Sequence, residues 1–318
     1  MADHTLPDAF ENDLVYRLAC DPETGLCFAA RGSGLYRSED GGATWTFAYE
    51  SLDIEEPLPT ISVVTAPGSD DPDTLRVFAG VPGGVVRSLD GGETWIAEPL
   101  GSPPPAVSDL VLSPNYEEDG VILAGTTEDG VYRSANRGTH WTRWNFGLLD
   151  LNVMCLAISP DFVADETLFA GVESGVFRST NGGRAWQEID LPIGFEPVLS
   201  LAVSPTYADD GILFAGTESQ GLLRSCDGGR TWGQIEATDA DEPVNQLLLA
   251  RMDDRSYTLL ALLEDALRIS RDGGITWEQV PAEVGRITAV TTPQGLNKGA
   301  RILVGCLGGD IHQIDLMV

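Results

Sequence analysis

The sequence has almost no lysine. Of its 318 residues 19 are basic, Lys298 being the one lysine, and 49 are acidic, which gives a formal net charge of −30. A surface of that sign repels phosphate backbones, so nucleic acid is disfavoured as a partner. Excess acid with so little lysine fits a protein adapted to a salty cytosol, where screening removes self-repulsion. A GC-rich genome would give the same preference for arginine. Histidine is scarce as well: His4, His140 and His312 are scattered and form no general-base cluster. Apolar runs are short, as at 258–263, and fall well below the roughly 18 residues that a membrane-spanning helix needs. The opening MADHTLPDAFEND has no basic region before Arg17. No secretory signal and a cytoplasmic location are therefore expected.

Five cysteines (20, 27, 155, 226 and 306) show neither CxxC nor Cys/His spacing. No metal centre is expected, and free thiols in a reducing compartment are the simplest reading. Cys20 and Cys27 flank one expected hairpin and could pair if oxidised. GxSxG, P-loop, helix-opening GxGxxG and HExxH patterns are all absent, so no cofactor is expected either. Helical periodicity is missing throughout.

What the chain has instead is a repeat. An eight-residue element reads SEDGGATW (38–45), SLDGGETW (88–95), SANRGTHW (134–141), STNGGRAW (179–186), SCDGGRTW (225–232) and SRDGGITW (270–277). Its starts are 50, 46, 45, 46 and 45 residues apart, and it contains six of the seven tryptophans. Around each element lie four short apolar segments separated by turns. In the fourth unit these are MCLAISP (154–160), LFAG (168–171), GVFRS (175–179) and AWQEIDL (185–191). Four strands per unit of this length is the blade of a β-propeller. First-strand segments near Val15, Ile61, Val107, Val153, Val198, Val244 and Ile287 predict seven blades. The fold class is therefore all-β: one seven-bladed propeller over residues 1–318. The seventh unit lacks the eight-residue element and a fourth strand. Residues 4–10 are predicted to supply that strand, closing the ring without an open edge.

The repeated element has a local logic. Asp40, Asp90, Asn136, Asn181, Asp227 and Asp272 can accept backbone N–H groups of their own turns. The glycines supply positive φ. Trp45, Trp95, Trp141, Trp186, Trp232 and Trp277 are expected to pack between blades. Asn at two of the six positions suits a turn better than a catalytic or metal-binding role. An arginine precedes most elements (Arg37, Arg87, Arg133, Arg178, Arg224); in the sixth unit Arg268 stands one place earlier. These arginines are expected to pair with carboxylates between blades.

The pattern S/T-x-D-x-G-x-T-W resembles the Asp-box, or bacterial neuraminidase repeat, over essentially the whole chain. The sequence is thereby similar to the Asp-box propeller superfamily, which includes sialidases, xyloglucanases, sortilin-type receptors and the photosystem II stability/assembly factor family. A single seven-bladed chain looks most like the last group, which implies a non-catalytic protein that binds partner proteins. That family uses a basic arginine patch, whereas this surface is acidic. A sialidase would need an arginine triad, a Tyr/Glu pair and an Arg-Ile-Pro motif; here Arg268, Arg286 and Arg301 precede Ile-Ser, Ile-Thr and Ile-Leu. A xyloglucanase would need a second propeller.

Binding sites are expected on the side carrying the B–C and D–A loops. Glu128, Glu173, Glu218 and Glu264 fall in four consecutive B–C loops and could form an acidic arc for a cation, a small ligand at the channel mouth or a basic segment of a partner. Trp144 is the one tryptophan outside the repeated elements; with Phe146 it could anchor a partner, or it could pack against blade four. A binding or scaffold protein with another protein as partner is favoured. A carbohydrate-acting enzyme or lectin of the same superfamily is the alternative, and converging arginines at the channel mouth would mark it.

Overall fold

Short runs of β-branched, aromatic and small residues between Gly- and Asp-rich turns form antiparallel meanders. The computed structural model describes residues 13–52, 54–67, 74–235, 242–251, 257–264, 266–297 and 299–316. In blade 4, for example, Val153–Ile158, Leu168–Val172, Gly175–Ser179 and Gln187–Ile189 pair in sequence order. The chain is a seven-bladed β-propeller. Among the described residues six sheets have four strands and the last has three: Ile287–Thr291, Arg301–Cys306 and Ile311–Asp315. The fourth strand expected from residues 4–10 lies outside the described residues.

The inner strands run Val15–Cys20, Ser62–Pro67, Val107–Leu112, Val153–Ile158, Val198–Val203, Gln246–Arg251 and Ile287–Thr291. Each neighbours the next, and the first neighbours the last. The recurring Ala-Gly of the second strands explains how closely blades approach. A Cβ at Gly80, Gly125, Gly171 or Gly216 would come within 3 Å of Val107, Val153, Val198 or Val244 at the head of the following blade. Gly305 of blade 7 meets Val15 of blade 1 in the same way, so the ring closes with the contact used between consecutive blades. Thr288 Oγ1 donates to the Val15 carbonyl at 2.8 Å, and Leu14 bridges to Leu307.

The core is a set of seven wedges, one between each pair of blades. Phe28, Tyr49, Val77 and Trp95 fill the first, and Phe169, Tyr207 and Trp232 another. Burying side chains of this size gives about 2–3 kcal/mol each, the dominant favourable contribution. The wedge between blades 6 and 7 contains no tryptophan, because blade 7 has no repeated element; Leu260, Ile287, Leu296 and Leu316 fill it.

Two expectations change. Cys20 and Cys27 form a disulfide, although free thiols were expected. The hairpin register sets them directly opposite each other with Cα atoms 4.1 Å apart, as happens at the close, non-hydrogen-bonded positions of an antiparallel pair. Cys155, Cys226 and Cys306 are free. Nor do all six element tryptophans bury fully: Trp95, Trp186 and Trp232 do, while Trp45, Trp141 and Trp277 are half-exposed.

Candidate binding face

The repeated elements join the third and fourth strands and so occupy the rim opposite the B–C loops. In the first, Asp40 Oδ1 accepts the Ser38 hydroxyl at 2.8 Å and the amides of Ala43 and Thr44 at 2.9 and 2.8 Å. The Thr44 hydroxyl donates to Oδ2 at 2.7 Å. Ser38, almost wholly buried, accepts the Gly42 amide at 2.8 Å. Donation by the Thr44 hydroxyl, then by its amide and by Ser38, holds the Asp40 carboxyl down at about 2. Thr231 does the same for Asp227, also at about 2. Asn136 and Asn181 keep the Oδ1 bonds, to His140 N and Ala185 N at 2.9 Å each. The accepting oxygens of these side chains face their own turns.

Trp45, Trp141, Trp232 and Trp277 donate Nε1 to the carbonyl of their own box glycine at 3.1–3.3 Å, while two tryptophans reach back. Trp95 donates to the Ala48 carbonyl and Trp186 to the Trp144 carbonyl, 2.8 Å each, in the loop leaving the preceding blade. The repeated arginines only partly follow expectation. Arg37 pairs with Glu39 and reaches Glu93 of the next blade, and Arg87 pairs with Glu98. Arg133 and Arg224 instead lie over aromatic rings, those of Trp144 and Phe214. A shared ring quadrupole substitutes for a carboxylate there.

On the opposite face, carboxylates of the D–A loops pin the hairpins of the following blade. Asp13 accepts the amide and hydroxyl of Ser33 at 2.8 and 2.7 Å, Asp150 accepts the Ser174 amide at 2.8 Å, and Glu196 accepts the amide and hydroxyl of Ser219 at 2.6 and 2.8 Å. These three carboxylates were not singled out from the sequence. Their signal was available: an acidic residue two or three positions before the inner strand, matched to a serine in the next B–C turn.

The four B–C glutamates are all exposed. Glu128 has φ of 68°, a conformation costing a non-glycine residue about 1–2 kcal/mol. Glu173 accepts Asn152 Nδ2 at 3.3 Å, and Glu264 accepts Arg286 at 3.4 Å. Each stands on its own blade. Among the described residues no three His, Cys, Asp or Glu side chains are grouped to hold a metal ion, so the arc is a spaced row rather than a chelating cluster. Trp144 and Phe146 part company. Two guanidiniums lie against the Trp144 ring, Arg133 at 4.6 Å and Arg184 at 5.6 Å from its centroid, and Trp144 packs toward blade 4. Phe146 is 80% exposed, although its carbonyl accepts the Trp186 amide at 2.8 Å.

The central channel encloses about 630 Å³ between the inner strands. Across it Arg17 pairs with Asp109 at 2.7 Å, from blade 1 to blade 3. Asp109, which raises the Arg17 guanidinium, also accepts the Leu156 amide at 2.8 Å, beside the bulge in the fourth inner strand. Gln246 clamps the matching bulge of blade 7: its Oε1 accepts Val290 N at 3.0 Å and its Nε2 donates to Val290 O at 2.8 Å. Burial pushes the neighbouring Cys155 thiol up, which keeps it protonated and inert.

Residues 268–279, around the sixth element, match the BNR/Asp-box repeat. The other five elements of the propeller follow the same pattern and are similar to that repeat. No curated protein matches its sequence. Solved structures do match its fold. YCF48 from Cyanidioschyzon merolae superposes with a TM-score of 0.65 at 15% identity, covering 98% of this chain and 97% of that one. YCF48 bound to D1 peptide gives 0.67 at 18% identity, covering 95% and 91%. The GH74 enzyme of Niastella koreensis gives 0.74 at 16% identity, but this chain spans 52% of it. The extracellular domain of a one-component system from B. thetaiotaomicron gives 0.72 at 16% identity, with 38% of that chain spanned. At these identities the likeness shows a shared fold.

Proposed function

We propose that this Asp-box propeller is a non-catalytic docking protein that binds another protein on its loop face. The observation that carries the reading is the state of the arginines around the channel and loops. Arg17 pairs with Asp109, Arg31 with Asp13, Arg143 with Asp129 and Arg286 with Glu264. Each of these guanidiniums is taken up by a carboxylate of its own, whereas holding a sialic-acid carboxylate would require three of them to converge on one anion. Glycoside hydrolysis needs a carboxyl kept protonated opposite a second one. Hydrogen bonds from neighbouring hydroxyls and amides hold down the carboxyls of the turn residues Asp40, Asp90, Asp210, Asp227 and Asp272, the opposite of what an acid catalyst needs. YCF48 bound to D1 peptide adds support, as a propeller of matching extent in complex with a polypeptide.

The test has two arms. A photo-crosslinking residue is placed at position 149 on the loop face and at position 275 on the box rim, and the purified protein is incubated with xyloglucan and sialyllactose. Protein crosslinks at 149 and not at 275, without sugar release, are expected. Turnover of either glycan, or equal crosslinking at both positions, overturns the reading.

A further inference from the structure

The three most exposed large apolar residues of the described chain are Phe195 (81%), Phe146 (80%) and Leu149 (78%). All three belong to the two loops that flank blade 4, at 144–152 and 190–197. Both loops are built rather than loose. The first is held by the Trp186 amide on the Phe146 carbonyl, a Leu148–Asn145 turn bond at 3.0 Å, and Asp150 on the Ser174 amide. The second is held by a Gly194–Leu191 turn bond at 3.2 Å and by Glu196 on Ser219. Rigid turns thus present these side chains to water, where each forgoes the free energy of burial.

Acidic charge predominates around them, and the exposed Arg143 guanidinium beside Glu128 is already paired with Asp129 at 2.8 Å. Between residues 144 and 197 the only basic residues are Arg178 and Arg184, beside and within the fourth box and away from the loop face. The loop face carries Asp150, Glu173, Asp190 and Glu196 in the same stretch, with Glu128 and Glu218 on either side. The carboxylates of Glu128 and Glu218 have no hydrogen-bond or ion-pair partner among the described residues. Around the rim, therefore, apolar tips alternate with carboxylates: Glu128, Phe146 and Leu149, Glu173, Phe195, Glu218.

Resting on the reading that a protein docks on this face, we propose that the occupant is an extended polypeptide segment in which Lys or Arg alternates with large apolar residues, seated across blades 3 to 5. Its apolar side chains cover Phe146, Leu149 and Phe195, and its cations sit against Glu128, Glu173 and Glu218. Apolar anchors ringed by complementary charge are how hot spots and steering combine at interfaces.

The probes are three fluorescein-labelled peptides of about 12 residues, a length that spans roughly 40 Å when extended. One alternates Arg with Phe, one alternates Arg with Ser, and one alternates Glu with Phe. Anisotropy is read at about 0.15 and 0.5 M salt, where screening differs enough to separate charge from contact. The Arg/Phe peptide is expected to bind at least about tenfold more tightly than the other two, a difference typical of losing one or two anchors. Replacing Phe146, Leu149 and Phe195 with Ser removes that advantage and leaves the melting temperature unchanged. E173Q/E218Q weakens binding and flattens its salt dependence. I275S on the box rim changes nothing. Equal binding of the Arg/Ser peptide, or unchanged binding by the triple Ser variant, reduces the effect to general charge attraction and overturns the proposal. A position-149 crosslink to a neutral or acidic segment overturns the chemistry of the occupant but keeps the docking face; glycan turnover overturns the docking face itself.

Discussion

The Thr94 hydroxyl donates to Oδ2 of Asp90 at 2.5 Å, and it is the sole donor to that oxygen among the described residues. The other carboxylate oxygen takes Ser88 Oγ and the amides of Glu93 and Thr94. The same division recurs wherever the box has aspartate, with Thr44, Thr231 and Thr276 facing Asp40, Asp227 and Asp272. In the two asparagine boxes the threonine is replaced by His140 and Ala185. An amide NH₂ cannot accept a hydroxyl proton, so asparagine serves only where that hydroxyl is missing. Asp90→Asn should therefore cost about 1 kcal/mol, the net worth of a hydrogen bond at a half-exposed site. In a Thr94→Ala background the same change should cost much less. Thermal melts of the four proteins in the cycle measure the coupling; additive costs would refute the pairing.

Acid should act on four boxes and leave two untouched. Asp40 and Asp227 are held at about 2 in the folded protein, against roughly 3.9 for an unperturbed aspartate. In Asp90 and Asp272 desolvation pushes up, but the threonine and serine hydrogen bonds outweigh it and the shift is again downward. A depressed carboxyl stabilises the fold above its unfolded value, and the stabilisation is lost as pH falls from about 4 toward 2. Urea midpoints taken across that range should drop for the wild type. They should drop less when all four pairs are converted to Asn with Ala, as blade 4 already has in Asn181 and Ala185. Parallel slopes for the two proteins would rule out the boxes as the acid-sensitive element.

How much of this was legible in the sequence depended on whether a signal repeats. Six boxes in register disclosed the blades, and the Ala-Gly of the second strands recurred because the valine heading the next blade leaves no room for a Cβ. The division of labour between Asp90 and Thr94 was also written in the repeat, as covariation between two box positions. What the repeat could not disclose are pairings made once. Arg17 and Asp109 lie 92 residues apart and pair across the channel, past blade 2. The stacking of Arg133 on Trp144 took the place of an expected ion pair. The exposure of Leu149 and Phe195 was invisible for the same reason: nothing in a chain pattern says which apolar loop residue a turn will hold outward.

The channel pair should behave as one coupled unit. The Asp109 side chain is 5% exposed and serves both Arg17 and the Leu156 amide. Asp109→Ala leaves a part-buried guanidinium and an unsatisfied backbone N–H, a loss of about 3 kcal/mol. Arg17→Met strands the carboxylate instead and should cost a similar amount. The double variant R17M/D109N removes both charges and keeps an acceptor for the Leu156 amide, so it should be more stable than either single variant. Denaturant midpoints decide; a double variant no better than the worse single would show that the pair itself contributes little.

Two box glycines should respond differently to the same substitution. Gly41 has φ of 72° and open space where a Cβ would stand. Gly41→Ala therefore carries only the left-handed strain, about 1–2 kcal/mol. Gly229 has φ of 78°, and a Cβ there would lie 2.4 Å from the Phe169 ring of the preceding blade. Overpacking adds about 1–3 kcal/mol to the strain at that site. Melting of both alanine variants measures the difference. Equal losses would mean that this glycine is set by its turn alone and not by the approach of the neighbouring blade.

Salt should stabilise the protein, because two effects of opposite sign differ in size. Screening weakens exposed ion pairs such as Arg271–Glu278 and Arg301–Asp315, but such pairs are worth about 0–1 kcal/mol each. It also weakens the mutual repulsion of a net −30, which is spread over the whole surface and acts in the folded state, where charges are closest. With a screening length falling from about 10 Å at 0.1 M to 3 Å at 1 M, repulsion between neighbouring loops such as those bearing Glu128, Glu173 and Glu218 is removed first. The melting temperature should therefore climb as KCl is raised from tens of millimolar to molar. A variant with Gln at those three positions should begin higher and climb less. A wild-type melting temperature that stays flat or falls over that range would mean that the paired charges outweigh the unpaired ones, and that the acidic surface is not what limits stability at low salt.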